Sequence, residues 1–102
     1  MQLKDYRTDL LKRLQDPEYA AGYLAQVLED GDSAAFLLAL KDVVDASGGM
    51  GSLSEHVALQ RPSLYRILSK KGNPTLTTLQ DILRPLGLQV SVTAVAHPPV
   101  AA

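Results

Sequence analysis

The chain contains no cysteine. This excludes disulfides and thiolate metal sites, and it is compatible with a reducing compartment. Histidine is nearly as scarce, with His56 and His97 the whole supply. No His, Asp and Glu residues stand at paired metal-ligand spacing, so no metal or other cofactor is expected. Ser54 and His56 are two apart on a helix; they point in different directions and make a poor nucleophile–base pair. Gly48, Gly49 and Gly51 read as a helix-ending turn, not as a phosphate-cradling loop. The expectation from these absences is a protein that is not an enzyme. Long apolar runs are missing too, since nothing approaches the roughly 20 residues a membrane span needs. Lys4, Asp5, Arg7 and Asp9 interrupt the amino terminus, so no secretion signal is expected and the cytoplasm is.

What is present is ordinary for a soluble globular protein: 46% apolar and 21% charged residues in 102. That length allows one domain with a modest core. The net charge of −1 argues at first against nucleic acid. Its distribution argues otherwise. Residues 1–49 hold five basic and nine acidic residues, a net of −4, and residues 50–102 hold five basic and two acidic, a net of +3. Halves of opposite sign suit different partners, unless the difference is chance on solvated faces.

Read in order, the chain predicts successive helices. Asp5 can cap the first, with Tyr6, Leu10, Leu11 and Leu14 on one stripe. Asp16-Pro17-Glu18 starts the second, which carries Tyr19, Ala20, Tyr23, Leu24, Val27 and Leu28 on a broad apolar face. Gly22 either weakens that helix or lets another backbone come close. Asp32 or Ser33 caps the third, with Phe36, Leu37, Leu40, Val43 and Val44 inward, and Gly48-Gly49 stops it. Thr75 caps a last helix with Leu76, Leu79, Ile82 and Leu83 inward, ending near Leu83 or Arg84 before Pro85. Residues 88–94 alternate apolar and polar, which predicts a strand. A lone strand cannot satisfy its backbone groups, so a second copy is expected to pair with it through Val90 and Val92. Pairing with residues 1–4 is the alternative.

The stretch between these parts, residues 50–71, carries the functional signal. Leu53, Val57, Leu59, Leu64, Ile67 and Leu68 can close two short helices into one small core. Pro62 marks the start of the second, since Gln60 is a weak cap. With Leu64, Ile67 and Leu68 inward, Pro62, Tyr65, Arg66 and Ser69 face out, and Arg61, Lys70, Lys71 and Asn73 flank them. An exposed helix rich in Arg, Tyr and Ser, braced by a shorter one, is what a major-groove reader needs.

The run SLSEHVALQRPSLYRIL, residues 52–68, resembles the helix-turn-helix of the Cro/C1-type repressors. Four pieces in order, DPEYAAGYL, AFLLALKDV, SLYRIL and GNPTLTTLQDILRPLGL, resemble the small antidote (antitoxin) proteins of toxin–antitoxin addiction modules. The resemblance covers roughly residues 5–92. It implies an antidote that binds and represses its own operator, and a small basic RelE-like ribonuclease toxin, encoded beside it, as the partner it neutralises. Two positions depart from the pattern: Ala58 replaces the usual turn Gly, and Ser54 the usual small Ala. A left-handed Ala58 would cost about 1 kcal/mol relative to Gly.

The expected fold is therefore all-α. A five- or six-helix Cro/C1-type bundle is followed by a short carboxy-terminal β-strand used in dimerisation. Residues 1–31 are expected as a helical extension, 32–87 as the DNA-binding domain, 88–95 as the strand and 96–102 as a disordered tail. Arg61, Ser63, Tyr65 and Arg66 are the candidate base readers on double-stranded operator DNA. Ser52, Gln60, Ser69, Lys70, Lys71 and Asn73 are the candidate phosphate contacts. Tyr65 packs on a thymine methyl, bonds a phosphate, or merely shields the helix edge; Lys70 and Lys71 are otherwise plain solvated charges. Tyr19 and Tyr23, among the acids of the first two helices, are the candidate toxin contacts, or else they simply cover the core. A stand-alone repressor without a toxin is the alternative function, and a dimerising interaction protein a third.

Overall fold

The computed structural model describes residues 3–96, which form six α-helices and one 3-10 turn. The helices are α1 (Leu3–Arg13), α2 (Pro17–Glu29), α3 (Ser33–Ala46), α4 (Gly49–Ser54), α5 (Arg61–Ile67) and α6 (Leu76–Leu83), and the 3-10 turn covers Arg84–Leu86. His97 and most of the tail expected to be disordered lie outside the described residues. No helix among the described residues is long and apolar enough to cross a membrane.

Side-chain caps set three of the starts. The Asp16 carboxylate accepts from the Glu18 N–H, Asp32 from the Ala35 N–H and Thr75 from the Thr78 N–H, satisfying amides that would otherwise lack partners. Asp5 is not the cap of α1; it lies within the first turn of a helix that begins at Leu3, where its charge suits the dipole. At the end of α3 the chain reverses through Gly48 and Gly49, with φ of 108° and 88°. A side chain would strain both conformations, so these two residues fix how α4 leaves α3.

One core holds the helices. Leu14, Leu40, Val43, Val44, Leu64, Leu68 and Ile82 are its largest fully buried side chains. They come from both sides of the chain's charge divide, and each contributes about 1.5–3 kcal/mol by leaving water. α1, α2 and α4 lean on α3, and α5 leans on α4. No residue within α1 is fully buried; Leu10 and the adjoining Leu14 pack it on the core, and a polar contact accompanies them. Arg7 supplies it: Nη1 donates to Asp42 Oδ1 and Nη2 to Asp45 Oδ2, each at 2.9 Å. Asp45 accepts further from Lys41 Nζ at 3.1 Å, and the Tyr23 hydroxyl donates to Asp42 Oδ2 at 3.3 Å. Burial first, then the neighbouring Asp42 charge, raise the Tyr23 pKa above the ordinary tyrosine value.

Several expectations are corrected. The described residues contain no β-strand, and residues 88–96 are irregular. Their alternating pattern has no second strand to pair with among the described residues, and Val92 stands 95% exposed. Leu3 and Lys4 are helical, which removes them as its partner. Leu76 is 60% exposed, because the first residue of α6 points away from the layer that Ile82 and Leu83 enter. Val57 lies beyond α4, in the connection to α5. Among the described residues only glycines have positive φ, so Ala58 carries no left-handed strain. Ser54 donates to the Gly51 carbonyl three residues back, so its hydroxyl is taken up within α4.

Two glycines answer to space in opposite ways. A Cβ on Gly22 would meet nothing within 4 Å, so this residue weakens α2 with no compensating contact. A Cβ on Gly72 would collide with the Ile67 carbonyl oxygen, so the turn from α5 to α6 closes only without a side chain. In urea unfolding, Gly22→Ala is expected to raise stability by about 0.5–1 kcal/mol. Gly72→Ala is expected to lower it by about 1–3 kcal/mol. Tyr23 gives a pH prediction. Its folded-state pKa is raised, so its contribution is complete below the unfolded value of about 10 and is lost as pH rises through the raised one. Tyr23→Phe is expected to flatten the fall in urea stability that begins near about pH 10; an identical fall in wild type and variant would contradict this.

Candidate nucleic-acid interface

The α4–α5 pair is built from very short helices, and its rigidity comes from packing. Met50 and Leu53 of α4 are buried, as are Leu64 of α5 and Leu68 just beyond it. Gln60 precedes α5 without any side-chain cap bond, and Pro62 occupies its first turn. The helix therefore starts because Pro62 is already set for helical φ, and holds because Leu64 and Leu68 are anchored.

With Leu64 and Leu68 inward, Arg61, Pro62, Tyr65 and Arg66 are exposed together on the outer face of α5, and Lys70 and Lys71 are exposed just after it. Ser63 is half-buried, which limits its reach. Gln60 is exposed at the helix start, and Ser52 is half-buried on α4. Ser69 is half-buried, and its hydroxyl is occupied, donating to the Arg66 carbonyl at 2.7 Å. Asn73 is exposed in the following turn and also borders an apolar groove beside α2. His56 is exposed, its Nδ1 2.9 Å from the Ser52 carbonyl oxygen.

Charge is organised more sharply than the net values of the two halves suggest. Arg7, Arg13 and Lys41 in the first half, and Arg84 after α6, all contact carboxylates. Among the described residues, Arg61, Arg66, Lys70 and Lys71 form no ion pair. Four cations without partners, beside one exposed tyrosine, give this face a positive field. Arg61 is held in place by another means. Its guanidinium lies against α4 at Gly51, where a Cβ would collide with it. A shallow recess there is lined by Gly48, Ser52, Glu55 and Arg61.

The tyrosines of α2 are placed differently. Tyr19 is partly exposed, while Tyr23 is half-buried with its hydroxyl bound to Asp42. The acids around Tyr23 are already neutralised by Arg7 and Lys41. Local sequence reading missed this cluster because Arg7 and Asp42 are 35 residues apart and no spacing rule links them. Val90 and Val92 are exposed on the irregular tail and are not brought into a strand. Among the described residues there is no His/Asp/Glu grouping able to hold a metal ion.

A family model described as "probable addiction module antidote protein" matches residues 4–94. An uncharacterised protein of Haemophilus influenzae (strain ATCC 51907 / DSM 11121 / KW20 / Rd) is 33% identical over 91 residues, which is 89% of this chain and 91% of the relative. No solved structure matches. The family match spans the six helices except the first residue of α1, the cationic face and residues 88–94, and on that ground the chain belongs to the addiction-module antidote proteins.

Proposed function

We propose that this antidote is an antitoxin that reads its own operator with α5 and neutralises a small ribonuclease toxin encoded beside it. It acts in the cytoplasm by binding, without catalysis. The α4–α5 pair serves as a Cro/C1-type helix-turn-helix, with α4 crossing the backbone and α5 in the major groove. The observation that carries the DNA part is the set of unpaired cations on one exposed face, Arg61, Arg66, Lys70 and Lys71. Among the described residues, Arg7, Arg13, Lys41 and Arg84 are in ion pairs and Lys4 and Lys12 stand on α1, while these four cluster at α5, where they meet phosphate and base edges.

The roles divide by position. Arg66, facing away from Leu64, donates to guanine O6 and N7. Tyr65 packs beside it on a thymine methyl. Arg61 swings from its seat on α4 to a base or phosphate at the start of α5. Lys70, Lys71, Gln60 and Asn73 contact phosphate and set the register, with Ser52 and Ser63 beside them. A homodimer presents two α5 helices to two half-sites, which matches the symmetry of a palindromic operator. The toxin part rests on membership of the antidote family and on the acidic amino-terminal half, whose sign opposes that of a protein built to hold RNA.

The test of the DNA part is fluorescence anisotropy with the chain's upstream DNA against a scrambled duplex, across a salt series. Specific affinity is expected to fall steeply with salt. Arg66→Ala is expected to cost about 1–3 kcal/mol on the upstream duplex and little on the scrambled one. Full affinity in the variant removes Arg66 from the readers.

A further inference from the structure

A groove of about 500 Å³ runs between α2, the start of α3, the turn at residues 72–74, α6 and the tail. Its apolar lining includes Ala21, Ala25, Leu28, Phe36 and Val90. Ala21, Ala25 and Leu28 recur at i, i+4 and i+7, a stripe on the opposite side of α2 from Tyr19 and Tyr23. Leu28 is 58% exposed and Val90 39%, so the chain itself leaves this surface uncovered.

The charge beside the groove is mainly acidic. Glu29 and Asp30 follow Leu28 directly, and Asp32 precedes the lining residue Ser33. Among the described residues, neither Glu29 nor Asp30 is in an ion pair, while Asp32 uses one oxygen to cap α3. Two cations adjoin lining residues: Arg84 is paired with Asp81 at 3.7 Å, which leaves Lys71. The Tyr19–Tyr23 side offers less. The Tyr23 hydroxyl is engaged, and Asp42 and Asp45 are neutralised by Arg7 and Lys41.

We propose that this groove, with its acidic α2–α3 corner, seats the toxin. The occupant is a basic protein that inserts an apolar side chain between Leu28 and Val90 and sets Lys or Arg against Glu29 and Asp30. An apolar anchor in a concave site with a charged rim is the arrangement that concentrates binding energy and steers an oppositely charged partner. The proposal rests on the antitoxin reading above and moves the toxin contact from the tyrosine face to the other side of α2.

The experiment uses the full chain and the purified small protein encoded beside it, titrated by calorimetry. Three variants alter the site at solvent-facing positions: Leu28→Arg, Val90→Arg and the pair Glu29→Lys with Asp30→Lys. Tyr19→Ala is the control on the opposite face, and thermal melts check that each variant is folded. The expected result is tight binding by wild type and Tyr19→Ala, with affinity about 30-fold weaker or worse in the groove variants. Full affinity in all folded groove variants overturns the placement and leaves the antitoxin reading standing. Absence of binding by wild type overturns the antitoxin reading, and the placement falls with it. Sedimentation of each variant alone reports the competing occupant: a wild-type dimer that Leu28→Arg converts to monomer assigns the groove to a second copy and overturns the proposal.

Discussion

The direction of α5 depends on two successive contacts, α4 on α3 and α5 on α4. Both follow the left-handed pair Gly48–Gly49, which sets the angle at which the chain leaves α3. Helices as short as α4 and α5 have little stability of their own, since nucleating a turn costs more than so few hydrogen bonds return. Met50, Leu53, Leu64 and Leu68 therefore decide where Tyr65 and Arg66 point. Any rearrangement of that cluster moves the whole cationic face, so buried residues set the geometry of that surface.

A second constraint acts on charge. With a net of −1 the molecule has no excess of positive charge, so a positive face exists only through separation. The ion pairs perform that separation. Arg7 and Lys41 are held against Asp42 and Asp45 to fasten α1 and to close the surface of α3. Exposed pairs of this kind add little to stability. Their larger consequence is that they cancel charge on α1 and α3, while Arg61, Arg66, Lys70 and Lys71 remain uncancelled on and just after α5. Among the described acids that form no ion pair, Glu29 and Asp30 stand together at the α2–α3 corner.

Much of this was legible in the sequence wherever a local rule applied. Asp16, Asp32 and Thr75 cap the helices that their chemistry predicts, and Pro62 opens α5. The buried stripe of α3 follows its periodicity, from Leu37 through Leu40 to Val43 and Val44. The exposure of Arg66 follows once Leu64 and Leu68 are turned inward. What escaped depends on distant partners. The Arg7 anchor joins residues far apart in the chain. The closeness of Gly51 to Arg61 shows only when α4 and α5 are placed against each other, and that of Gly72 to the Ile67 carbonyl only when the turn after α5 is closed. The apolar stripe Ala21–Ala25–Leu28 merged in the sequence with the broad face of α2, because two partly overlapping stripes on one helix do not separate by periodicity alone. The tail kept a strand-like pattern without becoming a strand, since a ladder needs a second chain segment as well as alternation.

The central claim is that two surfaces of one small bundle, the cationic face of α5 and the groove at the α2–α3 corner, serve different partners. Mapping backbone amide chemical shifts of the isotope-labelled chain, as its upstream DNA duplex is added, tests this most directly. The account predicts shifts concentrated in residues 49–73, with α1, the exposed face of α2 and the acidic corner at Glu29 and Asp30 unmoved. Shifts centred on α1 or α2, or spread evenly over the bundle, would contradict it.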